Sequence, residues 1–82
     1  MNRKSIFEYI VNLAKTKKQY CFKTPGFELG IFNIESIIID KINDDEYYIW
    51  IVDDEYYTRI ENYTNEQINK IYQYLKKNYP LA

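Results

Sequence analysis

Tyr47-Tyr48-Ile49-Trp50-Ile51-Val52 is the longest run of large apolar and β-branched residues in the chain. Asp44, Asp45 and Glu46 precede it, and Asp53, Asp54 and Glu55 follow it. On an extended backbone, Tyr47, Ile49 and Ile51 share one face while Tyr48, Trp50 and Val52 share the other. A strand with one wet face alternates apolar and polar residues. This one does not, so it is expected to lie centrally in a sheet with both faces at least partly covered.

Upstream, residues 27–42 read as extended, but the run is too long for one flat strand. Gly30 or Asn33 is the expected bulge or bend. Ile37-Ile38-Ile39 is again apolar on both faces, and Asn43-Asp44-Asp45 closes a hairpin into residues 47–52. Before that run, residues 20–23 form a short strand, joined to it by a type II turn at Pro25-Gly26. Downstream, Asp53-Asp54-Glu55 turns the chain into residues 56–60. That segment alternates better and suits a sheet edge.

A helix flanks the strands on each side. Ser5-Ile6-Phe7-Glu8 has the pattern of a capping box, in which the serine takes the amide of the third helical residue and the glutamate reaches back. From Ile6, the residues Ile6, Phe7, Tyr9, Ile10, Val11, Leu13 and Ala14 sweep one broad side of an amphipathic helix. Lys15, Lys17 and Lys18 fall in its last turn, where the helix dipole favours cations. Thr64-Asn65-Glu66-Gln67 is a second capping box, with Tyr63 and Ile68 at the hydrophobic-staple positions. Ile68, Ile71, Tyr72, Leu75 and Tyr79 form a narrow stripe at helical spacing, and Pro80 stops the helix.

The expected architecture is therefore a single α+β domain over residues 1–82: helix, four-stranded antiparallel meander, helix (α-β-β-β-β-α). Two helices packed side by side cover one face of such a sheet. The second face, carrying Tyr48, Trp50 and Ile38, is then covered only if the helices divide between the faces.

Net charge is -1, which exerts no global pull toward nucleic acid or membrane. Its distribution is uneven. Of the twelve carboxylates only Glu8 precedes residue 25, whereas Arg3, Lys4, Lys15, Lys17, Lys18 and Lys23 all do. The middle of the chain is acidic between basic ends. Histidine is absent, which removes the commonest general base and metal ligand at neutral pH. Cys21 is the only cysteine, so a disulfide framework or cysteine zinc site within one chain is excluded. A lone thiol suits a reducing, cytoplasmic compartment, and Cys21 reads as a small buried residue of an apolar strand. Glu8 and Asn12 interrupt any resemblance of the N-terminus to a signal peptide. No run approaches the roughly 18 apolar residues of a membrane span. Ile, Lys, Asn and Tyr are abundant and Ala is scarce, as an A/T-rich coding sequence produces. The ten tyrosines are thus no binding signal by number alone.

The two acidic turns cap opposite ends of one strand of roughly 20 Å and cannot converge on one ion. Neither has the glycine and ligand spacing of a calcium loop. No metal, cofactor or catalytic residue is expected, and the chain is expected not to be an enzyme. Asp and Asn in hairpin turns also serve the turn backbone itself. An acidic surface would nonetheless be drawn to a basic groove on another protein. In size, charge and architecture the chain is similar to small acidic α+β anti-defence proteins of phages and mobile elements. That resemblance implies an inhibitor that mimics nucleic acid; no motif carries it.

The function expected from the residues is a small protein-binding module, a regulator or inhibitor, acting through an aromatic and acidic sheet surface. Tyr48, Trp50 and Tyr57 are the candidate aromatic anchors, a residue type that interfaces favour. Asp44, Asp45, Glu46, Asp53, Asp54 and Glu55 are the candidate acidic contacts. The partner is another protein, and a homodimer through the same face or through the edge at residues 56–60 is the rival. Nucleic-acid binding by the basic first helix ranks lower. Its lysines are split between the helix ends, and a pI near 5.4 is far from the basic balance of such proteins.

Overall fold

A computed structural model describes residues 2–54 and 56–81 of the chain. Its order is α1 (Arg3–Lys17), β1 (Cys21–Leu29), β2 (Phe32–Asn43), β3 (Glu46–Asp53), β4 (Tyr57–Arg59), a single 3-10 turn (Ile60–Asn62) and α2 (Asn65–Asn78). The four strands form one antiparallel sheet in the order β1-β2-β3-β4. This is the α-β-β-β-β-α meander expected from the sequence, with residues 47–52 inside an inner strand.

Both helices pack on the same face of the sheet. The core gathers Ile6, Ile10, Leu13 and Ala14 of α1 and Ile68, Ile71, Tyr72 and Leu75 of α2. Against them lie Phe22, Ile37, Ile39, Ile49 and Ile51 of the sheet. Tyr9 and Tyr72 meet edge to face at 5.0 Å between the helices. Phe22 and Tyr79 do the same at 4.9 Å, and the Tyr79 hydroxyl donates to the Lys23 carbonyl at 2.6 Å, fastening the end of α2 to β1. Within this core the Thr24 hydroxyl, fully buried, donates to the Ile34 carbonyl at 2.6 Å.

Several local expectations are corrected. Helix α1 begins a turn earlier than the Ser5-Glu8 pattern implies, because the Asn2 side chain accepts the Ser5 amide at 2.8 Å and caps the helix instead. That extra turn brings Arg3 to the start of α2. Its guanidinium donates to Asn65 Oδ1, to the Glu61 carbonyl (3.1 Å) and to the Tyr63 carbonyl (2.7 Å). Pro25-Gly26 does not reverse the chain. Gly26, at φ 75°, makes a bulge between Lys23 and Phe27 within β1, and proline is tolerated there because a bulged edge strand needs no amide at that point. The reversal comes at Gly30-Ile31, where Gly30 takes φ 62°. Residues 27–42 therefore belong to two strands. Residues 56–60 yield only a short β4, because the chain winds into the 3-10 turn at Ile60. The second capping box stands: Thr64 Oγ1 accepts the Gln67 amide at 3.1 Å, and the Gln67 side chain accepts the Thr64 amide at 2.9 Å.

Candidate functional site

The face of the sheet away from the helices is assembled by register. Cys21 pairs with Ile38, Ile38 with Trp50, and Trp50 with Arg59. In the next such row Lys23, Ser36, Val52 and Tyr57 align, and Asp40 pairs with Tyr48. Side chains that pair across strands share a face. These residues therefore lie on the sheet face opposite the helices, where Cys21, Lys23, Asp40 and Tyr57 are exposed and Ser36 and Val52 are buried. Tyr48, Trp50 and Ile38 are half-buried by one another, while Tyr57 is 66% exposed. Cys21 is exposed, not buried as expected. The parity of β1 sends its neighbour Phe22 into the core and Cys21 outward.

The centre of this face is an aromatic and cationic stack. Tyr48 and Trp50 meet edge to face at 6.3 Å. The Arg59 guanidinium lies 3.6 Å above the Tyr48 ring and 5.6 Å from that of Trp50. Such stacking is worth about 0.5–2 kcal/mol, according to solvent exposure. Arg59 Nη2 donates to Glu61 Oε2 at 2.6 Å. Its Nε is buried and has no hydrogen-bond partner among the described residues. The sequence alone did not single out Arg59. Only the β3–β4 register, in which it stands opposite Trp50, brings it to the stack.

The acidic candidates divide. Asp44 and Asp45 occupy the β2–β3 turn and Asp53 and Asp54 the end of β3, so the two clusters lie at opposite ends of one strand. Part of each cluster serves the turn itself. Asn43 Oδ1 accepts the Asp45 amide at 2.9 Å, and Asp53 Oδ1 accepts the Tyr56 amide at 2.8 Å. Asp44 faces Lys41 at 3.2 Å, which raises the Lys41 pKa through that hydrogen bond and charge pairing. Both groups are largely exposed, so the pair adds little stability. Glu46 accepts from Asn43 Nδ2 at 3.3 Å. Asp45 and Asp54 are solvent-facing, and Glu55 lies outside the described residues. Among the described residues no three of Cys, Asp and Glu gather where they could hold a metal ion. No described helix is long and apolar enough to cross a membrane.

A second concave region lies round the edge of the sheet from this face. It is a groove of about 580 Å³ between α1 and β3, with Phe7, Val11 and Ile49 among its apolar walls and Arg59 at its border. Comparison of the chain with protein-family models, curated proteins and solved structures finds no match.

Proposed function

We propose that the chain is a protein-binding module that does no chemistry itself, and that it regulates or inhibits a partner by docking the helix-free face of its sheet. The observation that carries this reading is the cluster of Tyr48, Trp50, Tyr57 and Arg59 on the sheet face opposite the helices, with Tyr57 exposed. Trp, Tyr and Arg are the side chains that dominate binding energy at protein interfaces, and they do so when gathered at the centre of the contact. Here the stack is preorganised, so little side-chain entropy remains to be lost on docking. Acidic turns stand at both ends of β3, so the fitting partner offers an apolar centre between basic flanks. Complementary charges of this kind set orientation and association rate more than affinity.

The face carries its own reporters. Trp50 is the single tryptophan and Cys21 the single cysteine of the chain. A protein captured by the immobilised chain is purified and titrated back. Docking on this face shifts Trp50 emission and slows alkylation of Cys21. Capture is lost in the Tyr48→Ala/Trp50→Ala variant and weakened in Asp45→Lys/Asp54→Lys. Capture that survives the aromatic double substitution, or leaves Cys21 alkylation unchanged, contradicts the proposal. A stable dimer by light scattering, with Cys21 protected in the isolated chain, replaces the partner with a second copy.

A further inference from the structure

We infer a second docking site, which borders the open face at Asp44, Asp45 and Arg59: the groove between α1 and the half of β3 that β4 does not pair takes an extended, basic segment of a partner protein as an added strand. The inference starts from strand parity. The Asp53 amide donates to the Tyr56 carbonyl, so Asp53 directs its backbone groups toward β4. The Ile39 amide donates to the Tyr20 carbonyl, so Ile39 faces β1 and its neighbours Ile38 and Asp40 face β3. Along β3 the backbone groups alternate between neighbours. Trp50 and Tyr48 thus bond toward β2, and Ile49 and Tyr47 point toward the β4 side. There β4 ends: its pairing covers only Trp50 to Val52. The 3-10 turn from Ile60 still packs against β3 there but is not a strand, so the backbone of Tyr47 and Ile49 faces an edge where no described strand follows, and such an edge is a template for strand addition.

The groove has the dimensions for it. Its helical wall runs from Phe7 to Lys15 of α1, about 12 Å at the helical rise. The free edge from Glu46 to Ile49 spans roughly 10–13 Å. One side of an added strand would meet Phe7, Val11 and Ile49, so an apolar residue belongs there. The charge is complementary to a cation. Glu8, Asp44, Asp45 and Glu61 line the groove against Lys15 and Arg59 only. Those two cations are already occupied: Lys15 lies 5.0 Å above the Tyr47 ring, and Arg59 is held by Glu61 and Tyr48. Glu8 and Asp45 are exposed at the rim and are left to receive lysine or arginine.

The test uses the full chain and two short capped peptides, one alternating lysine with valine and one alternating glutamate with valine, observed by backbone amide NMR with hydrogen exchange. The basic peptide is expected to give saturable shifts at Glu46, Tyr47 and Ile49 and along the Phe7, Val11 and Lys15 wall, and to slow exchange of the Tyr47 amide. The acidic peptide is expected to give none. Glu8→Lys/Asp45→Lys, two exposed positions that leave the core untouched, should weaken the basic peptide at least tenfold. Three results overturn the inference: equal binding of both peptides, no shifts at the β3 edge, or shifts confined to the Tyr48 and Trp50 face. Failure here leaves the open-face reading standing, because Cys21 alkylation and the Tyr48→Ala/Trp50→Ala variant report on that face alone.

Discussion

Replacing Arg3 with alanine removes a clasp between the first turn of α1 and the start of α2. Three hydrogen bonds are lost, to Asn65 Oδ1 and to the carbonyls of Glu61 and Tyr63. A hydrogen bond to a charged group contributes about 1.5–3 kcal/mol when shielded. Two of these three are exposed and one is partly buried, so solvent reduces the first two to about 0.5 kcal/mol each. The partly buried bond, shielded only in part, keeps about 1–2 kcal/mol, so the expected loss is about 2–3 kcal/mol. A chain of this length has roughly 4–12 kcal/mol of stability in all, so the variant should be visibly weakened but folded. Each kcal/mol moves the midpoint of a small domain by about 4–8 °C, so thermal unfolding should fall by about 8–24 °C. Urea unfolding followed by Trp50 fluorescence measures the loss directly, and an unchanged m-value certifies that the native surface is preserved. Arg3→Lys should recover only a fraction, because an ammonium cannot present the same fork to three acceptors. Lys4→Ala, next door and exposed, is the control and should lie within about 0.5 kcal/mol of the parent. If Arg3→Ala falls within the same range, the clasp contributes nothing and the reasoning fails.

Three further substitutions probe the frame of the sheet and helices. Thr24→Val keeps the shape but removes the buried hydrogen bond to the Ile34 carbonyl, and should cost about 0.5–1.5 kcal/mol in urea unfolding. Lys18→Gly should stabilise the chain, by about 0.5–1 kcal/mol, because Lys18 ends α1 at φ 52°, a conformation that glycine takes without strain. Burial, together with the charge of Asp53, raises the Tyr63 pKa above its ordinary value. The folded state thus holds the phenolic proton more tightly than the unfolded chain. The associated stability is present below the unfolded value of about 10 and is lost as pH rises through the higher folded value. A stability–pH series should show an alkaline decline that is shallower in Tyr63→Phe.

The features the sequence made legible are those set by periodicity and side-chain chemistry. Residues 47–52 announced an inner strand because they are apolar at consecutive positions. The α2 start was plain because Thr64 and Gln67 bond reciprocally within four residues. Tyr48 and Trp50 were placed together because the period of a strand is two, whereas Tyr57 reaches their face through the pairing of Val52 with Tyr57. What was missed depends on competition or on long-range register. Asn2 outcompetes Ser5 as the cap of α1, and two overlapping cap patterns cannot be ranked by pattern alone. Pro25-Gly26 and Gly30-Ile31 both fit turn chemistry, and the second reverses the chain because pairing of Phe27 with Ile34 extends β1 past the first. Arg59 and Cys21 joined the candidate face only through strand pairing. Both helices pack on one side through a shared core, in which contacts such as Tyr9–Tyr72 and Phe22–Tyr79 join residues far apart in the chain.

The central claim is that the outer face of the sheet lies open. The most direct measurement is the rate at which Cys21 of the isolated monomeric chain reacts with an aromatic disulfide reagent in native buffer, set against the rate in denaturant. An exposed thiol in row with Ile38 and Trp50 should react within about tenfold of the denatured chain. A Cys21 that reacts only as fast as the chain unfolds would mean that the face is covered, and would contradict the account.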